Sequence, residues 1–191
     1  MSASVSRRLI VAMTGASGFV YGARILEMLR ASDIETHFVI SQAAMVALAQ
    51  ESDLAVSDIK ALASHVHDNR NIAASIASGS FRTLGMVVAP CSAKSLGEIA
   101  NGSGGSLIAR AADVVLKERR RLVVLFRETP LHLGHCRNMA QLTEMGGIVM
   151  PPVPAFYPMP KSIDDMVTHT AARVLDLFGL DIEIEGRWKG G

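Results

Sequence analysis

The sequence predicts a doubly wound α/β fold, a Rossmann-like or flavodoxin-like three-layer sandwich around a central parallel sheet. Three observations point that way. Short β-branched apolar runs alternate with longer segments of helical period. Runs such as LIVAM (Leu9–Met13) and VVLF (Val123–Phe126) are apolar throughout, as strands covered on both faces must be. Turn-forming and hydroxyl residues follow these runs, at the strand ends where parallel sheets bind their ligands.

In chain order, strands are expected at Arg8–Met13, Thr36–Ile40, Leu84–Ala89, Leu122–Phe126 and Gly147–Met150. Helices are expected at Phe19–Ala31, Gln42–Gln50, Ser57–Ser64, Ala93–Ala100, Leu107–Arg119, Cys136–Met145 and Ser162–Phe178. Ser162 followed by Asp164 and Asp165 reads as the amino end of the last of these. Asn101–Ser106 (NGSGGS) is a loop between helices. Ile182–Gly191 reads as an extended tail in which Trp188 is a packing anchor. Strand–helix alternation calls for right-handed crossovers and a parallel sheet.

The 191 residues read as one domain, 1–191, large enough for a substantial core. Hydrophobic residues make up 49% and charged residues 19%, so charged surface is sparse and subunit contacts are expected. A net charge of +1 gives no electrostatic reason to expect nucleic acid. Cys91 and Cys136 form no CxxC pair and read as reduced thiols. No apolar run approaches a membrane span, and the apolar start is too short for a signal-peptide core. A soluble, cytoplasmic protein is expected.

The turns carry the chemistry. Thr14-Gly15-Ala16-Ser17-Gly18 leaves a strand and opens a helix, so backbone amides and the Ser17 hydroxyl can face a phosphate. Gly22, one turn on, permits close helix–sheet packing. The spacing G-x-x-G-x-x-x-G is not the dinucleotide pattern, and strand two ends at Ser41 without an acid for a ribose. Both facts favour a mononucleotide over NAD. Pro90-Cys91-Ser92-Ala93-Lys94-Ser95 offers a second helix start with small donors, each also readable as a simple cap. Arg110 and Lys117, seven apart on one helix face, could hold a departing phosphate or merely face solvent; Arg119–Arg121 reads as a solvated helix end. Arg127 and Glu128 follow strand four, where Arg127 could reach a flavin and Glu128 could move a proton, or the two could pair. His65, His67, His132 and His135 fit no structural zinc spacing and read as loop histidines, with no metal expected.

Taken together, these segments resemble the UbiX/Pad flavin prenyltransferase family. The matching stretches are MTGASG (Met13–Gly18) with Tyr21-Gly22, VIS (Val39–Ser41), PCSAKSL (Pro90–Leu96), RAADVVLKERR (Arg110–Arg120), RETPLHLGH (Arg127–His135) and PAFYPMP (Pro154–Pro160). The likeness runs from about Arg7 to Trp188. It implies joining a dimethylallyl group from dimethylallyl monophosphate to reduced FMN at N5 and C6, without metal. The product, prenylated FMN, would serve a UbiD-family decarboxylase in ubiquinone biosynthesis or aromatic acid decarboxylation.

Residue by residue, the resemblance implies FMN contacts at Gly15, Ala16, Ser17, Ser41, Ser92, Ala93, Lys94, Ser95 and Arg127. It implies prenyl-phosphate contacts at Tyr157, Arg173, Arg110 and Lys117, and proton handling by Glu51 or Glu128. It further implies a homododecamer with groups from several subunits in each site. The stretch His67–Phe81 lacks a tryptophan that some members carry, so no aromatic contact is expected there. Two competing readings share the flavin: an FMN-dependent cysteine decarboxylase, and a non-enzymatic FMN carrier. The basic helix motif and FY-x-x-P favour the prenyltransferase.

Overall fold

The computed structural model describes residues 7–182. Its strands are Arg8–Met13 (β1), Glu35–Ile40 (β2), His65–Asp68 (β3), Gly85–Cys91 (β4), Arg121–Phe126 (β5) and Ile148–Val149 (β6). Its helices are Phe19–Arg30 (α1), Gln42–Glu51 (α2), Val56–Lys60 (α3), Ala93–Ala100 (α4), Leu107–Lys117 (α5), Leu133–Glu144 (α6) and Ile163–Asp176 (α7). The sheet order is β3-β2-β1-β4-β5-β6, with every pair parallel. The chain winds from β1 to one edge, then returns past it to the other. The switch point therefore falls between β1 and β4, where such sheets bind ligands.

Each strand divides its side chains between two cores because successive residues point to opposite faces. Leu9, Val11 and Met13 of β1 join Ile25, Leu26 and Leu29 of α1 and Ala171, Val174 and Leu175 of α7. Ile10 and Ala12 face the other way, onto Leu96 of α4 and Ala111, Ala112 and Val115 of α5. The core strands are buried almost end to end, which is why they read as unbroken apolar runs. Gly22 is where α1 comes closest to the sheet. A Cβ there would overlap the Ala89 carbonyl oxygen and lie 2.6 Å from Met13 Cε, so only glycine allows the approach.

Four expectations change. The sheet has a sixth strand, β3, where the sequence suggested only loop, and the preceding helix stops at Lys60 rather than Ser64. His65 and His67 are strand residues, and they lie at the opposite sheet edge from β5 and the α6 that follows it. Helix α6 begins at Leu133, three residues early, because the His132 ring accepts the Gly134 amide at 3.0 Å and caps it. Helix α5 ends at Lys117, with Arg119 beyond it in the left-handed region at φ 57°. Of the expected tail, everything after Ile182, Trp188 included, lies outside the described residues. Among the described residues no helix is long and apolar enough to cross a membrane.

Candidate functional site

Parallel pairing brings the carboxyl ends of β2, β1, β4 and β5 side by side, and hydrogen bonds lock the turns that follow. The Ser41 amide donates to Met13 O at 3.0 Å, and the Arg127 amide to Cys91 O at 3.0 Å. Between them sits Thr14, almost wholly buried. Its Oγ1 donates to Pro90 O at 3.0 Å and accepts from the Ser92 amide at 2.8 Å, joining the two glycine- and serine-rich turns across the switch point. Ser41 and Ser92 are helix caps, accepting from the Ala44 amide (3.1 Å) and the Ser95 amide (3.3 Å). The expected FMN residues Gly15, Ala16, Ser17, Ser41, Ser92, Ala93, Lys94, Ser95 and Arg127 thus occupy one crest of the sheet.

That crest is built for an anion. The twelve-residue α1 has Gly18, at φ 103°, as its cap residue, with no side-chain cap and no acid in its first turn. The Gly15 and Ser17 amides have no partner among the described residues. A helix amino end leaves its first amides unsatisfied and carries partial positive charge, so it accepts a phosphate readily. Gly15 leaves no room for a side chain, since a Cβ there would overlap that of Ala43. Arg127 is exposed and forms no ion pair among the described residues, ruling out the Arg127–Glu128 pair; Glu128 instead accepts the Thr129 amide at 3.0 Å. Donor set, open backbone and free guanidinium fit the phosphate and polar edge of FMN.

Glu51, the last residue of α2, reaches the same turn: its Oε2 accepts the Gly18 amide at 2.9 Å. One chain therefore suffices to bring Glu51 to the turn after β1. Cys91, in the same motif, is no nucleophile, for complete burial pushes its thiol up to about 12.

The residues expected to bind prenyl phosphate separate into two groups. Tyr157 and Arg173 converge through His169, which sequence reasoning missed. The Tyr157 hydroxyl is 3.0 Å from His169 Nε2, and Arg173 lies one turn further along α7. Burial, then the Arg173 charge, lowers the pKa of His169. Lys117 belongs elsewhere, while Arg110 stands on the first turn of α5, whose Leu107 amide donates to Asn69 O just past the carboxyl end of β3. Each pairs within its own helix turn, Arg110 with Asp113 and Lys117 with Glu118, both at 2.6 Å. Lys117 Nζ lies 2.9 Å from the Cβ position of Gly79, in the segment that enters β4 at its amino end. A six-residue strand spans about 20 Å, so Lys117 sits far from its own chain's Arg127.

Arg120 corrects the solvated-helix-end reading. Its guanidinium, largely covered, donates to Phe81 O at 2.7 Å and Gly79 O at 2.6 Å, clamping the Ser-Gly-Ser segment beside Lys117. Spacing could not reveal this, because both acceptors are backbone atoms forty residues away.

The flavoprotein family model matches residues 2–175. A flavin prenyltransferase UbiX from Neisseria meningitidis serogroup B is 55% identical over 96% of this chain and 97% of its own. A crystal structure of AnUbiX (PadA1) in complex with FMN and dimethylallyl pyrophosphate is 47% identical with a TM-score of 0.93, covering 98% of this chain and 100% of that one. A dodecameric FMN-dependent UbiX-like decarboxylase from Escherichia coli O157:H7 is 48% identical with a TM-score of 0.93, covering 96% and 100%. With the switch-point crest in place and half the residues shared along nearly the whole length, the chain belongs to the flavoprotein family and, within it, to the UbiX flavin prenyltransferases.

Proposed function

We propose that this chain transfers a dimethylallyl group from dimethylallyl monophosphate to N5 and C6 of reduced FMN, releasing prenylated FMN to a UbiD-type decarboxylase. The observation that carries this reading is the amino end of α1, where the cap residue Gly18 offers no side chain, on the same crest as Arg127, which forms no ion pair among the described residues, in a chain whose relatives are named flavin prenyltransferases. Reduced FMN, when bound, supplies the nucleophilic positions, and the protein supplies placement and charge. In this reading Gly15, Ala16 and Ser17 hold the flavin phosphate, while Ser41, Ser92, Ala93, Lys94, Ser95 and Arg127 fix its orientation. Tyr157 and Arg173 hold the prenyl phosphate and offset its growing charge as the C–O bond breaks. The proton lost on ring closure has three acceptors: the released phosphate, Glu51 and Glu128.

Lys117, with Arg110 on the same helix, then serves the site of a neighbouring subunit, because its own chain holds Lys117 apart from it. Supporting assembly, the 151–163 arm exposes Val153, Phe156, Met159 and Ile163 by 74%, 69%, 81% and 79%. A homododecamer in the cytoplasm accommodates all of this. The test is anaerobic incubation with reduced FMN and dimethylallyl monophosphate or pyrophosphate, followed by flavin mass. A flavin heavier by one dimethylallyl group supports the proposal and the faster donor identifies the substrate; an unchanged flavin leaves a carrier.

A further inference from the structure

Four side chains gather at the β2–β3 edge of the sheet, away from the flavin crest. Glu35 and His37 share one face of β2, as do His65 and His67 on β3, because each pair is two residues apart. His37 and His65 are register partners, and their rings stack at 4.8 Å, the spacing of adjacent strands. Glu35 Oε1 lies 3.0 Å from His37 Nε2 and 3.1 Å from His65 Nε2. One donor atom from each of the three lies within 4.8 Å of the other two. The opposite nitrogen of His37, Nδ1, is 2.9 Å from His67 Nε2.

We infer that Glu35, His37 and His65 form a binding site for a late first-row divalent cation, zinc above all, with His67 as the outer partner that orients His37. Two donors each about 2.1 Å from a tetrahedral zinc ion stand about 3.4 Å apart, so the two short edges open slightly and the stacked rings turn toward each other to bring both Nε2 atoms onto the ion. Two imidazoles and one carboxylate are the donors such ions prefer, and a water completes the set. The tautomers balance without loss of a proton. In the metal-free chain His37 and His65 donate from Nε2 to Glu35, while His67 Nε2–H donates to His37 Nδ1. With the ion bound, all three rings carry hydrogen on Nδ1, and His37 Nδ1–H donates to His67 Nε2, the usual outer bond of a metal-bound histidine.

The surroundings hold this arrangement in place. Arg8 takes the other carboxylate oxygen of Glu35 at 3.2 Å and lies 4.6 Å over the Phe81 ring, whose edge meets His37 at 5.0 Å. His37 is buried, while His65 is exposed and gives the ion a way in. The cluster sits about 13 Å along β2 from Ser41, so it pins the short edge strand apart from the flavin crest of its own chain.

The test is to strip the full-length oligomer with a chelator, then titrate it with Co²⁺ and Zn²⁺. The expected result is one ion per chain, tetrahedral Co²⁺ absorption bands and a raised Tm. His65→Ala, at an exposed position, weakens binding at least tenfold, while His132→Ala leaves it unchanged. His37→Gln abolishes it, and prenyl transfer persists in His65→Ala. No uptake by the wild type, or uptake that survives His65→Ala undiminished, overturns the proposal.

Discussion

Replacing Thr14 by valine keeps the shape of the side chain and removes the joint between two ligand-binding turns. The cost follows from the two bonds of its hydroxyl. Pro90 O loses the Oγ1 donor but keeps the Thr14 amide at 3.1 Å, so that side forfeits about 0.5–1.5 kcal/mol. The Ser92 amide loses its acceptor, and an unsatisfied donor in a partly buried turn costs about 1–3 kcal/mol. The expected loss is about 2–4 kcal/mol. Thr14→Ser keeps both bonds and removes one methyl group, worth about 0.8 kcal/mol. Urea unfolding of the two variants at one protein concentration separates these values, the fixed concentration being needed for an oligomer. FMN titration by flavin fluorescence reads the functional side: Thr14→Val raises Kd tenfold or more, since about 1.4 kcal/mol is a factor of ten. If Thr14→Val matched Thr14→Ser in both stability and FMN affinity, the hydroxyl bridge would not organise the crest.

Arg120→Ala frees two carbonyls from a charged donor, each bond worth about 1.5–3 kcal/mol before solvent takes its place. Faster amide exchange across residues 79–81 is expected, and Arg120→Lys does not restore protection because one ammonium cannot reproduce the guanidinium fork. Lys117→Ala and Tyr157→Phe are each expected to lose prenyl-phosphate turnover while retaining FMN. Mixed oligomers of the two regain about a quarter of wild-type activity if Lys117 acts in a neighbour's site, and none if it acts in its own. His169 is held below its ordinary value of 6.5 by burial and by Arg173, so the unfolded chain binds a proton where the folded chain does not. That contribution is complete above pH 6.5 and is lost as pH falls through the folded pKa. His169→Gln flattens the decline, measured as Tm against pH.

Much of the fold was legible because β1, β4 and β5 are buried on both faces, with Arg8 and Arg121 at the first positions of β1 and β5 as their only charged residues. HVHD is the counterexample. An edge strand pairs on one side only, and three of its four side chains are exposed, so nothing apolar announces it. The crest was legible for a related reason: parallel sheets gather their turns at one end, so residues adjacent to strand ends are adjacent in space. Thr14 went unnoticed because a threonine reads alike whether its hydroxyl meets solvent or joins two turns. Arg110 and Lys117 do share a helix face, but periodicity says nothing of which end of the sheet that helix descends to. The Tyr157–His169–Arg173 group depends on how the arm folds back over α7, a contact twelve residues long that no spacing rule encodes.

The oxygens of Ser41, Ser92 and Thr14 are already committed to backbone amides, so the turns of the crest hold their shape before anything binds. On the proposed function, this preformed cradle grips the phosphate end while alkylation takes place at the far end of the isoalloxazine. Starting flavin and finished product then compete for the same turns with similar strength. Product inhibition becomes a built-in property, and flux through the enzyme is governed by how fast an acceptor protein withdraws the cofactor.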